Sequence, residues 1–222
     1  MNRTSMGIAS VAMVLVLGAV ALWVGSRLPA DMLLPTHFGI GGEPDQYSGK
    51  WVALLLPVGM AGGLSLLLWF LPALEPRLAN LERSAGLYYW SWAALLLMSG
   101  VIELVIVSTA LYWGLRVEHI VAGAIGAMFV LIGNQLGKSR SMYLVGIRTP
   151  WTLASEEVWI RTHRLGGKLM VAGGLLMVVA ALLPIPSGLL AAVCGASVAV
   201  MVCVPVVYSY VLWRREKAQP SL

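Results

Sequence analysis

The chain has 222 residues, of which 59% are hydrophobic and only 11% are charged, and its mean hydropathy is +0.84. A soluble domain is typically about half apolar and about a quarter charged, so this composition excludes an ordinary soluble fold and indicates an integral membrane protein. The formal net charge of +5 is therefore interpreted as a topology signal, and no direct contact with nucleic acid is expected.

Six apolar runs are long enough to cross a membrane as helices. They are continuous and not alternating, which argues against a β-barrel. The first run is also longer than the apolar part of a signal peptide, about 7–15 residues, so we expect it to be retained. The predicted spans are residues 6–25, 51–71, 92–112, 120–136, 169–183 and 189–213. The predicted fold class is therefore all-α, a polytopic membrane protein with six transmembrane helices.

The distribution of basic residues predicts the orientation of these spans. Twelve of the fifteen lysines and arginines lie in segments on one side, and only Arg27, Lys50 and Arg116 lie on the other. Because positive residues accumulate on the cytoplasmic side, both termini are predicted to be cytoplasmic.

The first outer segment, residues 28–51, contains the turn-forming run Gly-Gly-Glu-Pro-Asp. His37, Glu43 and Asp45 are candidate metal ligands there, and Glu118 and His119 of the second outer segment are candidates for the same external site. Their spacing matches no closed zinc pattern. We therefore predict a structured outer turn, with no metal and no cofactor.

Glu103 lies in the apolar run Ser-Gly-Val-Ile-Glu-Leu-Val-Ile, within the third span. An ionisable group at that depth costs about 2.5 kcal/mol or more, so it is expected to face the bundle and to have a partner. One interpretation is a structural carboxyl that is hydrogen-bonded to a serine, a threonine or Asn134 on a neighbouring helix. The other is a proton or ligand site inside the bundle.

Small residues four positions apart favour close packing of membrane helices. Such pairs occur at Gly123 and Ala127 and at Ala191 and Gly195, and the adjacent Gly173 and Gly174 are expected to serve the same purpose.

The most polar long stretch, residues 146–164, lies between the fourth and fifth spans and is predicted to be cytoplasmic. Thr149 followed by Pro150 is typical of a helix start. Glu157 and Arg161 are spaced for an ion pair on one helix. We therefore predict a short amphipathic helix in the inner interface, with its basic residues at anionic headgroups.

The run from Asn134 to Gly174 resembles the signature of the SdpI family, in which Asn-x-x-Gly-Lys precedes Gly-Ile-Arg-Thr-Pro-Trp-Thr-Leu and then Ser-Glu-x-x-Trp-x-x-Thr-His-Arg. Ser141 and Met142 depart from it, since an asparagine is expected nearby. The matching residues are Asn134, Gly137, Lys138, Tyr143, Gly146, Arg148, Thr149, Pro150, Trp151, Ser155, Glu156, Trp159, Thr162, His163 and Arg164.

The outer segment is similar to the small domain of unknown function that is usually found ahead of this signature. The matching residues include His37, Phe38, Pro44, Asp45 and Lys50. The predicted organisation is an N-terminal two-helix domain over residues 1–80, with the outer loop of His37, Glu43 and Asp45. An SdpI-like four-helix domain follows over residues 81–222, with its cytoplasmic signature loop at 137–168.

The resemblance implies a multi-pass protein of the bacterial plasma membrane that gives immunity or resistance to a secreted antimicrobial peptide toxin. It also implies a sensing role, in which a cytoplasmic transcriptional repressor is recruited. The expected partners are membrane lipid, a peptide toxin at His37, Phe38, Glu43, Pro44 and Asp45 outside, and a repressor inside.

Two roles are open for the signature loop, namely shaping the inner end of the bundle and docking a cytoplasmic protein. The structural role, in which Arg148 and Glu156 would pair across the turn, is favoured for Pro150, Trp151 and Trp159. Both roles stay open for Arg148, His163 and Arg164. No hydrolase, metalloprotease or phosphate-loop motif is present, so no enzyme activity is predicted. The alternative function is a small-solute or proton-coupled transporter that uses Glu103.

Overall fold

The computed structural model describes residues 2–39 and 42–218. Within these ranges it contains eight helices and one β-hairpin. In chain order the elements are α1 (Arg3–Arg27), β1 (Leu33–Phe38), β2 (Pro44–Gly49), α2 (Lys50–Leu74), α3 (Leu78–Arg83), α4 (Ala85–Ala110), α5 (Val117–Leu136), α6 (Pro150–Ala154), α7 (Glu156–Leu182) and α8 (Ser187–Ala218).

Six of these helices, α1, α2, α4, α5, α7 and α8, are long and apolar enough to cross a membrane. The predicted all-α fold with six spans is confirmed. Each observed helix contains one predicted span almost completely, and most helices extend beyond the apolar run at one or both ends.

The largest difference from the predicted spans is at the start of α7. The helix begins at Glu156, far ahead of the predicted start at residue 169. The Ser155 side chain accepts a hydrogen bond from the Val158 backbone N–H at 3.3 Å, and two glutamates occupy the first turn. Both features stabilise a helix N-terminus. The separate amphipathic helix predicted for this stretch is therefore wrong, because residues 156–168 are the first turns of a spanning helix.

The helices pack as two groups that meet along α4 and α5. In the first group Trp92 of α4 donates hydrogen bonds to Ser10 of α1 at 3.0 Å and to Ser65 of α2 at 3.2 Å. Apolar residues of α1, α2 and α4 surround this contact. In the second group α5 and α8 pack on either side of α7.

The α5–α7 contact joins backbone to backbone. A methyl group on Gly126 would lie 2.7 Å from the Gly174 carbonyl oxygen, and one on Gly174 would lie 2.6 Å from the Gly126 oxygen. Gly133 and Gly167 make the same reciprocal contact, at 2.9 and 2.7 Å. Only glycine permits this approach. Of the predicted small residues, Gly174 takes part, whereas Gly195 has nothing within 4 Å of where its side chain would be.

The predicted outer turn is a β-hairpin, which adds two strands to a fold predicted as all-helical. Leu34 of β1 is buried among residues of α1, α2 and α4, which anchors the hairpin on the bundle. Gly42 has φ of 82° at the turn, a conformation that favours glycine. Gly41 of the predicted turn lies outside the described residues.

The N-terminal end of α1 and the C-terminal end of α8 lie at the end of the bundle that carries the signature loop. Arg3 donates a hydrogen bond to the carbonyl of Trp69, late in α2, and Ser155 donates to Glu216, late in α8, at 3.0 Å. We call this the signature end and the opposite one the hairpin end. The assignment of the signature end to the cytoplasm stays a prediction.

Candidate functional site

The segment between α5 and α7 folds back on the bundle as a compact cap, residues 138–155. Its one regular element is α6, which begins after Thr149 as predicted. The Thr149 hydroxyl accepts from the Thr152 backbone N–H at 3.2 Å, and the Thr152 hydroxyl accepts from the Thr149 N–H at 2.9 Å. This reciprocal capping box fixes the start of the helix.

A buried carboxylate that the sequence analysis missed holds the first part of the cap. Glu75, at the C-terminal end of α2, is 4% exposed. Its Oε2 accepts from the backbone N–H of Leu144 at 2.8 Å, and both oxygens accept from that of Tyr143, at 3.0 and 3.1 Å. Oε1 also accepts from the Arg77 N–H at 3.0 Å. Hydrogen bonds of this charge-assisted kind are the stronger ones in proteins.

Side chains near α3 extend this attachment. Arg77 donates to the Ser141 hydroxyl, and Asn80 donates to the Ser141 carbonyl at 2.7 Å. The Ser84 hydroxyl accepts from the Arg140 backbone N–H at 2.8 Å. Ser141 and Met142, the two residues that depart from the family signature, are 2% and 0% exposed. The departure therefore lies in the buried interior of the cap.

His163 of α7 fixes the second part of the cap from beneath and is fully buried. Its Nδ1 donates to the Trp159 carbonyl at 2.8 Å, and its Nε2 accepts from the Ile147 backbone N–H at 2.8 Å. One ring nitrogen must donate and the other must accept, so this arrangement holds the neutral imidazole in one tautomer. His163 is thus inaccessible to a docking protein.

Gly146 makes the fit possible. Its φ is 121°, and a methyl group there would lie 2.7 Å from His163 Nε2 and 2.8 Å from the Trp159 ring. The Trp159 and His163 rings stack with centroids 3.9 Å apart, and the Trp159 indole donates to the Ser139 hydroxyl at 3.2 Å. Three signature residues therefore form one interlocked unit.

The far side of the cap contacts α8. The Thr149 and Ser209 hydroxyl oxygens are 3.2 Å apart, and the Trp151 ring lies 5.1 Å from that of Tyr210. The Gly137 backbone lies against α7, because a methyl group there would be 3.3 Å from the Arg164 Cα.

Some predicted pairings in the loop are absent or differ. Arg148 does not pair with Glu156, since its Nη1 donates to the Tyr143 carbonyl at 2.7 Å. Glu157 and Arg161 do approach, at 3.9 Å on the exposed face of α7. Thr162 is fully buried and its hydroxyl has no partner among the described residues.

The signature residues divide by exposure. The signature residues that form the interior of the cap are buried or half-buried, whereas the signature cations Lys138, Arg148 and Arg164 are exposed. The exposed members of the signature are Asn134, Lys138, Tyr143, Arg148, Pro150, Glu156 and Arg164.

At the hairpin end, His37 Nδ1 and Asp45 Oδ1 form a hydrogen bond of 2.6 Å across the hairpin, and both side chains are more than half exposed. Glu43 is exposed, whereas Phe38 and Pro44 are half-buried. In residues 2–39 and 42–218 no three His, Cys, Asp or Glu side chains come together as metal ligands.

Glu118 lies against the hairpin tip, since a methyl group on Gly42 would be 2.6 Å from its Oε2. Its Oε1 accepts hydrogen bonds from Arg116 and from Ser187, each at 3.3 Å. Beneath the tip is an apolar cavity of about 440 Å³ between α5, α7 and α8, with Phe38 at its rim. We call it the hairpin cavity.

Glu103 is 3% exposed, as expected for a group facing the bundle, but neither of its oxygens has a hydrogen-bond partner in the described part of the chain. The predicted partners, including Asn134, are therefore wrong. Helical periodicity places Glu103 on the side of α4 that carries Trp92 and Ala110. Those residues pack against α1 and α2, so the carboxyl lies in that three-helix core.

Residues 138–209 match the SdpI/YfhL protein family, and residues 12–61 match a domain of unknown function, DUF1648. The chain is 23% identical over 132 residues to "Immunity protein SdpI" of Bacillus subtilis (strain 168), which covers 59% of this chain and 61% of that protein. No solved structure matches.

The resemblance to the SdpI family and to its N-terminal companion domain is thereby confirmed. With six apolar helices, the chain is a multi-pass protein of the bacterial plasma membrane. The similar protein is named as an immunity protein and not as an enzyme.

Proposed function

We propose that this SdpI-type membrane protein protects the cell that carries it against a secreted antimicrobial peptide. The observation that supports this most directly is the match of residues 138–209 to the SdpI/YfhL family, together with the similarity to an immunity protein. The matched segment includes the whole cap, α7 and most of α8.

We further propose that the peptide is met at the hairpin end, which the charge distribution predicts to be outside. The hairpin carries the exposed pair His37 and Asp45 and the exposed ring of Tyr47. The hairpin cavity beside them supplies apolar surface. A peptide with both polar and apolar side chains would find a partner for each within one area.

The experiment is a survival assay in a bacterium that lacks SdpI-like proteins, challenged with an SdpI-type peptide toxin. We expect the wild-type chain to protect and His37→Ala with Asp45→Ala to lose protection at an unchanged membrane level. Gln46→Ala is the matched control, because Gln46 is exposed and pairs with His37 in the hairpin register. Failure of the wild-type protein to protect, when it is present in the membrane, would reject immunity towards that toxin.

A sensing role with a cytoplasmic repressor is the finer part of the proposal. Arg148 and Arg164 are exposed at the signature end and are available to an acidic partner. Arg148 also supports the cap through the Tyr143 carbonyl, so Arg164→Ala is the cleaner test and Arg148→Ala the second. We expect both to reduce repressor recruitment, measured by fluorescence at the membrane, while survival is retained. Recruitment unchanged in both variants would exclude these residues as the docking site.

A transporter is the second candidate, and the unpartnered carboxyl of Glu103 favours it. Ionisable groups without partners inside membrane proteins often mark proton or ion pathways. Glu103→Gln keeps the size of the side chain and removes its ability to exchange a proton. A proton-coupled carrier would lose its pH-dependent flux in vesicles, whereas immunity that depends on the hairpin would survive.

A further inference from the structure

A long apolar groove runs along the surface between α1 and α2, away from the hairpin cavity. It has a volume of about 730 Å³. One side of α1, from Thr4 to Leu15, and one side of α2, from Gly62 to Trp69, line it. We call it the α1–α2 groove.

The floor of the groove offers little to a polar ligand. Ser10 and Ser65 lie there, each more than nine-tenths buried. Both hydroxyls accept from the Trp92 indole, and Ser10 donates to the Met6 carbonyl at 2.8 Å. Since these groups already bind one another, the occupant of the groove is expected to be apolar.

The positively charged side chain of Arg3 lies at one end of the groove. The Arg3 guanidinium lies 4.3 Å from the centre of the Trp69 ring and donates to the Trp69 carbonyl. No carboxylate lies within 4.0 Å of it among residues 2–39 and 42–218. A guanidinium has five N–H donors and matches phosphate oxygens well, so an anion at its accessible nitrogens would supply the missing countercharge.

The length of the groove identifies its class of occupant. From Thr4 to Leu15 a helix rises about 16 Å, which is about half of the ~30 Å hydrocarbon core. α1 itself continues to Arg27. A transmembrane helix from another molecule would need a surface along the whole span, whereas an acyl chain from one leaflet needs half of it.

We propose that the α1–α2 groove binds one anionic phospholipid from the leaflet at the signature end. Its phosphate group lies at Arg3 and one acyl chain follows the groove towards Leu15. Basic sites between membrane helices are known to hold anionic headgroups. The proposal is independent of the toxin and of the repressor.

The test is native mass spectrometry of the purified full-length protein in detergent, with equal amounts of dioleoyl phosphatidylglycerol and dioleoyl phosphatidylcholine. The wild type is expected to retain one phosphatidylglycerol in preference. Arg3→Gln should lower that preference about fivefold, which corresponds to the ~1 kcal/mol of one basic residue at a membrane surface. Arg3→Lys keeps the charge and should retain most of the preference.

Arg27→Gln is the matched control, because Arg27 also stacks on a tryptophan, Trp23, at 4.0 Å but lies at the other end of α1. It should leave the preference unchanged. Gly62→Leu places a side chain in the groove and should reduce retention of both lipids.

Equal preference in wild type and Arg3→Gln, or an equal loss in Arg27→Gln, would overturn the proposal. A dimer that Gly62→Leu dissociates would show instead that a second copy occupies the groove.

Discussion

Removal of the Glu75 carboxylate is expected to release the cap from the bundle while the six spanning helices remain folded. Glu75 accepts from the backbone N–H groups of Arg77, Tyr143 and Leu144. In Glu75→Ala these three donors lose their acceptor, because the methyl group that remains cannot accept a hydrogen bond.

The size of the effect follows from the two donors that lie in the cap, the N–H groups of Tyr143 and Leu144. The Arg77 N–H is only two residues from Glu75 and loses its acceptor whether the cap is open or closed. A buried donor left without a partner costs about 1–3 kcal/mol. The cap lies at the membrane surface, where water can satisfy part of this demand, so the lower end applies and the total is on the order of 2 kcal/mol. Every 1.4 kcal/mol is a factor of about ten in an equilibrium, so the open form of the cap should become on the order of 30-fold more populated.

Limited trypsin digestion of inverted membrane vesicles measures this opening, because trypsin cleaves after lysine and arginine. The predicted cleavage sites in the cap are Lys138, Arg140 and Arg148, all exposed side chains on a structured backbone. Where opening is fast relative to cleavage, the cleavage rate follows the open population. Glu75→Ala should thus be cut in the cap on the order of 30-fold faster, with intact helical fragments on either side.

Two further variants separate the proposed cause from a general loss of charge. Glu82→Ala removes an exposed carboxylate from the neighbouring α3 and should be cut at the wild-type rate. Glu75→Gln keeps one acceptor oxygen and should be intermediate. If Glu75→Ala were cleaved no faster than Glu82→Ala, the carboxylate would not be holding the cap, and the reasoning would be refuted.

Two other predictions concern the helices beneath the cap. Gly174→Ala places a methyl group 2.6 Å from the Gly126 carbonyl oxygen and should destabilise the α5–α7 contact by about 1–3 kcal/mol, as overpacking does. Thermal unfolding in detergent would show this as a lower melting temperature. Gly188→Ala is the control and should melt like the wild type, because nothing lies within 4 Å of the added methyl group. His163→Phe keeps a ring on α7 but removes the acceptor for the Ile147 N–H, so hydrogen exchange at that amide should accelerate by about tenfold or more. Unchanged exchange would contradict the assigned bond.

The parts of this structure that depend on neighbouring residues in the chain were predictable. Thr149 and Pro150 start α6, and Glu157 approaches Arg161, because caps and pairs one turn apart are fixed by local geometry. The six apolar runs were predictable for the same reason, since the bilayer requires each run to satisfy its own backbone.

The attachments of the cap were not predictable, because they join distant parts of the chain. In the sequence, Glu75 is an acidic residue that follows an apolar run. None of the residues near it in the chain indicates that its partners are Tyr143 and Leu144. Of the four interface glycines only Gly174 was predicted, because the spacing typical of close helix packing is four positions. Gly126 and Gly133 are seven apart, as are Gly167 and Gly174, and only their reciprocal contact reveals the interface.

The arrangement of the cap limits which partner can dock on it. Gly146, Trp159 and His163 fill the interior with one another, and Thr149 and Thr152 cap each other, so these residues have little left to offer a second molecule. The charged groups that remain on the surface are mostly cations, namely Lys138, Arg140, Arg148, Arg161, Arg164 and Lys168. A cytoplasmic partner would therefore need an acidic face, and it would compete with the anionic headgroups of the same leaflet for the same cations. Binding of the partner would therefore depend on how much more strongly the cations attract its acidic face than they attract the headgroups. Any change in the bundle that moved the cations towards or away from the headgroups would alter this difference and so alter the binding.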